Sequence, residues 1–135
     1  MTSGRVLADI AELASVLRER SNTQLTYDVQ DSSFVEIGHF RFPDGWQTTD
    51  GTRVGAIRFE LPASYPNMPP SVAVPAGMRY QGQRTQAMQP TRAWPPENWV
   101  AFEPDYGQWN PAADGLLTAL AAIERRLRDP QPKTL

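Results

Sequence analysis

Side chains able to carry out covalent chemistry are scarce in this sequence. It contains no cysteine, which excludes disulfides, thiolate metal sites and thiol nucleophiles in the chain as it stands. His39 is the only histidine, and a single histidine inside a predicted strand is more typical of a structural or surface position, so we assign it no role. Neither a glycine-rich phosphate loop nor a cluster of metal ligands is evident, and the sequence therefore predicts no cofactor and no metal.

The size and composition of the chain indicate one globular domain. Its 135 residues, 40% of them hydrophobic and 21% charged, suffice to bury a core, and we predict a single domain over residues 1–135. A formal net charge of −2 gives no electrostatic reason to expect a nucleic acid partner. No apolar run approaches the roughly 18 residues of a membrane span and no signal peptide is evident. We therefore expect no membrane partner and a cytoplasmic location.

The elements that must position any functional residues begin with a helix over residues 5–20. Its apolar side chains repeat at helical spacing along one face: Val6, Ile10, Leu13 and Leu17. Three strands are predicted next, over residues 23–30, 34–42 and 52–61, and a fourth over 71–74. Short turns separate the first three strands, which makes neighbouring strands antiparallel. The expected fold class is α+β, with a four-stranded antiparallel meander after the first helix.

Strict alternation along each strand predicts which side chains share a face of the sheet. In residues 34–42 it places Val35 and Ile37 on one face, and on the other face Phe34, Phe40 and Phe42. In residues 52–61 it groups Gly55, Ile57, Phe59 and Leu61.

The second half of the chain begins with residues 75–108, which show no strong periodicity. A segment of this length in a compact domain is usually functional or packed against the core, and its aromatic residues favour packing. A second helix is then predicted, with Asn110 as its N-cap, Pro111 at its first position and Asp129-Pro130 at its end. Its apolar face consists of Leu116, Leu120, Ile123 and Leu127.

A Pro-rich turn connects the strands at 52–61 and 71–74. Each of its prolines fixes φ and removes an N–H donor, so neither a helix nor a central strand can cross the turn. The pattern Phe-x-Leu-Pro-x-x-Tyr-Pro-x-x-Pro-Pro over residues 59–70 resembles the turn between the third and fourth strands of ubiquitin-conjugating (E2) enzymes and their UBC-fold relatives.

A second part of the resemblance lies in the last third of the chain. Trp109-Asn110-Pro111-Ala112 and Asp129-Pro130-Gln131-Pro132 are similar to the W-S-P-A and D-P-N-P segments of E2 enzymes. The resemblance covers residues 5–132 and implies a UBC-like fold: N-terminal helix, meander, Pro-rich turn, long active-site segment and C-terminal helix. The turn alone is shared with RWD domains and E2 variants, whereas Trp109 and the following helix favour E2 enzymes.

The resemblance also implies a position for catalysis. E2 enzymes carry a ubiquitin-like protein as a thioester on a cysteine that commonly lies eight residues before this tryptophan, which here is the position of Ala101. A methyl group cannot act as a nucleophile. Two explanations fit: a naturally inactive E2-like protein used as a binding partner, or a cysteine that was replaced by alanine. By the same resemblance, either Gln83 or Asn98 could donate its amide to the oxyanion, or neither does.

The resemblance further implies partners: an E1-like adenylating enzyme, a ubiquitin-like protein and a JAB-type peptidase. The departures from the E2 pattern look most like divergent bacterial E2-like proteins, some of them encoded in antiphage operons. We expect the partner-binding residues to be Tyr65, Pro66, Trp94, Trp99 and Trp109. The first hypothesis is a conjugating transferase with cysteine at position 101, and the second is a non-catalytic binding module of the E2-variant type.

The charged residues leave two further questions open. Asp105 and Asp114 flank the predicted site and either lower the pKa of an incoming lysine or are ordinary solvated carboxylates. Of the 13 Lys and Arg residues only Lys133 is a lysine. Two alternative explanations fit this bias. One is codon usage, and the other is that a protein handling activated acyl groups benefits from having few nucleophilic amines on its own surface.

Overall fold

In the part of the chain that the structure describes, one helix precedes the strands in sequence and a second helix follows them. A computed structural model describes residues 4–19, 23–28, 34–82, 88–89 (backbone only), 99–102, 104 and 106–128. Helix α1 spans Gly4–Leu17 and helix α2 spans Leu116–Arg128. Within those residues, neither helix has the length and apolar character required to cross a membrane.

The strands form one large antiparallel sheet and one small one. The bounds are β1 Gln24–Asp28, β2 Phe34–Arg41, β3 Trp46–Gln47, β4 Val54–Glu60, β5 Ser71–Pro75, β6 Arg79–Tyr80, β7 Met88–Gln89 and β8 Trp99–Phe102. The large sheet has the order β1-β2-β4-β5-β8-β7, and β3 pairs with β6 in the small sheet. All of these pairs are antiparallel. The α+β class and the meander β1-β2-β4-β5 are therefore confirmed.

The segment after β5 contains more strand structure than its sequence predicted. Strand β8 pairs with β5, and the two-residue β7 pairs with β8, so the large sheet continues beyond the meander. Strand β6 closes against β3 in the small sheet. Each of these strands is two to four residues long, which is too short for an alternating pattern to be visible in the sequence.

A β-bulge in β2 overturns one prediction about faces. The register of β2 against β4 shifts between Ile37 and Phe40, and His39 has a positive φ of 55°. The extra residue reverses the alternation, so Phe40 and Phe42 are buried on the same side as Ile37. The prediction that these phenylalanines lie opposite Ile37 was wrong, because alternation holds only in the absence of a bulge.

The hydrophobic core lies between the helices and one face of the large sheet. Helix α1 buries Ile10, Leu13 and Leu17, and helix α2 buries the predicted Leu116, Leu120, Ile123 and Leu127. The sheet contributes Val35, Ile37, Phe40, Ile57, Phe59, Val72, Val74, Val100 and Phe102, and Leu61 directly after β4 joins them. We call this the core face of the sheet and the opposite one the outer face.

Helix α2 begins later than predicted. The Asn110 side chain accepts a hydrogen bond from the N–H of Ala112, and its carbonyl accepts one from Asp114, so residues 110–114 form a turn instead of helix. The first helical bond runs from the N–H of Ala119 to the carbonyl of Gly115. Thr118 Oγ1 accepts the N–H of Gly115, which caps the helix at that point. Asn110 thus stabilises a local turn that competes with the helix.

Candidate functional site

Ala101 lies in β8, the second strand from one edge of the large sheet. In β8 its neighbours across the sheet are Ala73 of β5 and Gln89 of β7. Val100 and Phe102 on either side of it are buried in the core, so alternation places Ala101 and Trp99 on the outer face. The predicted active-site segment is therefore a regular strand at this position, with partners on both edges.

A pocket opens beside Ala101. It has a volume of about 430 Å³, and its walls come from the end of the Pro-rich turn and from the chain after β8. The lining residues are Met68, Pro69, Pro70, Ser71, Val72, Ala101, Phe102, Pro104 and Tyr106. Met68 at its rim is 58% exposed. The lining is mainly apolar and is suited to an extended chain with few charges.

Two hydrogen bonds join the chain after β8 to the Pro-rich turn, and the first of them lies in the wall of the pocket. The Tyr106 hydroxyl donates to the carbonyl of Pro70 at 2.6 Å, and Trp109 Nε1 donates to the carbonyl of Pro66 at 2.7 Å. The two rings pack edge to face with centroids 5.3 Å apart. Burial raises the pKa of Tyr106, so its hydroxyl stays protonated as a donor. The turn and the segment around Trp109 thus form one unit although they are distant in sequence.

Replacing Tyr106 tests this junction. We expect Tyr106→Phe to lower the free energy of unfolding by about 1 kcal/mol, because it removes one hydrogen bond to a backbone carbonyl and leaves the ring in place. Urea denaturation measures the difference. Tyr27→Phe is the matched control, since Tyr27 is 50% exposed and should change little. Equal effects of the two substitutions would show that the hydroxyl of Tyr106 does not hold the wall.

No protein-family model, curated protein or solved structure matches this chain. The resemblance to E2 enzymes therefore remains a prediction from the sequence motifs at residues 59–70, 109–112 and 129–132.

Tyr65 is the centre of a polar network below the turn. Its hydroxyl donates to Asp9 Oδ2 at 2.6 Å, and Arg5 Nε donates to the same oxygen at 3.0 Å. Arg5 also donates to the carbonyls of Pro111 and Asp114. Burial, and then the hydrogen bond to Asp9, raise the pKa of Tyr65. The network links α1, the turn and the start of α2.

This network changes the role of one predicted partner-binding residue. Tyr65 is only 7% exposed, so its side chain supports the turn and offers no surface to a partner. The Tyr65–Pro66 peptide bond is cis, and the carbonyl of Pro66 is the acceptor for Trp109. Trp109 packs partly buried against the core.

An arginine and two aromatic rings occupy the outer face near position 101. Arg58 Cζ lies 3.9 Å from the ring centre of Phe34 and 5.5 Å from that of Trp99. Arg58 Nε lies 3.4 Å from Glu36 Oε1. Trp99, predicted to bind a partner, is therefore half-buried beside a cation.

Several predicted site residues lie outside the described part of the chain: Gln83, Trp94, Asn98 and Asp105. Asp114 is described, and its carboxylate accepts the N–H of Asn110 at the turn before α2. No group of three or more possible metal ligands occurs among the described residues. The sequence prediction missed Arg5, Asp9 and Arg58. Only the four-residue spacing of Arg5 and Asp9 on one helix could have indicated a pair.

Proposed function

We propose that this chain is an E2-like, UBC-fold carrier in a ubiquitin-like protein conjugation pathway, with position 101 at the thioester site. The observation that carries the proposal is that Ala101 opens into the pocket formed by the Pro-rich turn and the chain leading to Trp109. The end of the Pro-rich turn thus lines the pocket beside the residue to which the resemblance assigns the cysteine, and Trp109 is hydrogen-bonded to the same turn at Pro66. The order of the structural elements supports the same proposal: a helix comes first, then an antiparallel meander with its Pro-rich turn, and then a second helix.

The chemistry of a carrier requires a thiolate at position 101. An E1-like enzyme would consume ATP and deliver the activated carboxyl terminus of the ubiquitin-like protein, which the thiolate attacks to form the thioester. The apolar pocket would hold the extended terminus and limit its hydrolysis by water. Ala101 supplies a methyl group, so the chain with alanine at this position binds without forming the thioester. The amide of Gln83 or Asn98 is proposed for the oxyanion.

A non-catalytic binding module is the second candidate. Ala101 itself favours it, together with the pairing of β8 on both edges, which holds position 101 in a regular strand. In this case the same pocket binds a ubiquitin-like protein or a peptide without any covalent step. The E1-like enzyme and a JAB-type peptidase would act elsewhere in the pathway.

Introducing a thiol separates the two candidates. Ala101→Cys is incubated with an E1-like enzyme, a ubiquitin-like protein and ATP, and products are resolved by electrophoresis with and without reductant. For a carrier we expect an adduct that reductant removes, and with Ala101→Ser an ester that reductant leaves intact. Ala121→Cys is the matched control, because Ala121 is exposed on α2, and it should give no adduct.

The other outcomes assign the alternative or reject both. If Ala101→Cys gives no adduct while the unmodified chain binds the ubiquitin-like protein in calorimetry, the binding module is correct. If there is neither an adduct nor binding, the relation to E2 enzymes fails. If Ala121→Cys gives as much adduct as Ala101→Cys, the reaction reports thiol exposure and not a site.

A further inference from the structure

Strand β1 forms one edge of the large sheet. Among the strands that the structure describes, β1 pairs with β2 alone, and its register against β2 runs without a bulge from Gln24 to Asp28. The N–H and C=O groups on its other side point away from the sheet and can pair with a further strand. Lysine, proline and bulges, which commonly block such pairing, do not occur in this strand, and its single charge, Asp28, stands at its end.

The core face of the sheet ends at β1 with two apolar side chains. Leu25 and Tyr27 lie opposite Ile37 and Val35, which are both fully buried, so they belong to the core face. Leu25 is partly buried against the core, whereas Tyr27 remains 50% exposed. A strand added beyond β1 would therefore cover an aromatic ring as well as satisfy the backbone groups of the edge.

The sequence of β1 is complementary to itself. A two-fold axis perpendicular to the sheet keeps both core faces on the same side, and each residue then lies opposite a residue of the same face. An axis at Thr26 places Thr26 opposite Thr26 of the second copy, Leu25 opposite Tyr27, and Gln24 opposite Asp28. All five residues of the strand are then paired, whereas an axis at Leu25 or Tyr27 would pair only three of them.

The cross-strand pairs in this register are favourable ones. The threonine pair and the aliphatic–aromatic pair are both of kinds that stabilise antiparallel strands. The amide of Gln24 can donate to the carboxylate of Asp28 in the other copy. The two Asp28 residues are then four residues apart along the strands, about 13 Å, so like charges do not lie opposite each other.

We propose that two copies of this chain associate by antiparallel pairing of their β1 strands, centred on Thr26, into one continuous sheet. Pairing of five residues is a small interface, so the dimer dissociates at low micromolar concentration, and unfolding experiments performed there report on the monomer. Strand β8 is four strand spacings from β1, about 19 Å, so the pockets beside Ala101 stay at the outer ends of the dimer. The dimer does not depend on the proposed carrier function.

A charge exchange at Thr26 tests the pairing by sedimentation velocity over a concentration series. We expect the unmodified chain to approach the dimer mass as its concentration rises. Thr26→Lys and Thr26→Glu each place like charges opposite each other and should each weaken association roughly fivefold. An equimolar mixture of the two variants should restore it, which a folding defect could not do. Ala121→Lys, exposed on α2, is the matched control and should associate like the unmodified chain.

Cross-linking tests the register, and the absence of cysteine from the sequence makes it specific. In Thr26→Cys every disulfide joins two copies, and Cα atoms directly opposite each other are about 4.5–5.5 Å apart, within the range of a disulfide. Gln24→Cys is the matched control, because Gln24 is exposed on the same face but lies about 13 Å from its equivalent in this register. We expect Thr26→Cys to oxidise to the dimer on the order of tenfold faster.

Three results would overturn the proposal. The first is a monomer at every concentration up to about 1 mM, which would leave the β1 edge to an extended segment of another protein. The second is a dimer that Thr26→Lys and Thr26→Glu do not weaken, because association would then use another surface. The third is equal oxidation of Thr26→Cys and Gln24→Cys, which would show random collision of thiols and no defined register.

Discussion

Trp46→Ala is expected to lower the free energy of unfolding by about 3–5 kcal/mol, because it leaves a large cavity in the core. Trp46 is 1% exposed and packs against Tyr80 and Phe102 with ring centroids 5.3 and 5.9 Å apart. Its Nε1 donates to the carbonyl of Leu127 at 2.8 Å. That carbonyl belongs to the last described turn of α2. The residue thus joins the small sheet, β8 and α2.

Urea denaturation of matched variants checks this expectation. Trp46→Phe should cost less than Trp46→Ala, since it keeps most of the volume but loses the N–H donor. Tyr27→Ala is the control for aromatic residues at the surface and should shift the free energy of unfolding by no more than about 0.5 kcal/mol. A loss for Trp46→Ala as small as that of Tyr27→Ala would mean that β3 does not anchor α2.

Asp9→Ala is expected to lower the free energy of unfolding by about 2–3 kcal/mol, because one carboxylate serves both Arg5 and Tyr65. The side chains of Asp9 and Arg5 are 13% and 32% exposed, which places the effect below that of a fully buried ion pair. Gly115 packs directly against this carboxylate, where an added Cβ would lie 2.9 Å from Oδ2. Removing the Asp9 carboxylate should therefore also reduce the packing at the start of α2.

Two control variants and a pH series test whether the loss of stability in Asp9→Ala comes from the network of Asp9, Arg5 and Tyr65. Asp9→Asn keeps an acceptor and should cost less, and Asp44→Ala removes the carboxylate of an exposed ion pair and should cost little. The raised pKa of Tyr65 stabilises the folded state below the ordinary pKa of 10.0, and this contribution is lost as the pH rises further. Tyr65→Phe should therefore flatten the decline in stability above pH 10. A decline equal to that of the parent would contradict the assignment of the network.

The parts of the fold that follow from local periodicity could be predicted from the sequence. The apolar stripes of both helices and the order of the meander strands were confirmed, because burial repeats along a single element. The start of α2 could not be predicted, since Asn110 and Pro111 give the same signal for a helix and for the turn that they form. Strand β8 is defined by its pairing with β5, which no local pattern encodes.

The candidate site, too, could be predicted from the sequence only in part. Position 101 was predicted from the family resemblance, which assigns a role to the residue eight positions before Trp109, and the structure added the pocket beside it. The hydrogen bond from Tyr106 to Pro70 and the pairing of β8 with β5 join residues from distant parts of the chain. Such contacts arise only when the sheet is assembled, so the residue types alone could not reveal them.

The bulge in β2 makes this strand sensitive to its length. His39 is exposed, and any residue that tolerates a positive φ can replace it, so substitution there is a small perturbation. A deletion at position 39 would instead remove the phase shift and turn Phe40 and Phe42 outward. The number of residues between Ile37 and Phe40 is thus under stronger constraint than their identity. Related chains should vary in sequence at this point while keeping its length.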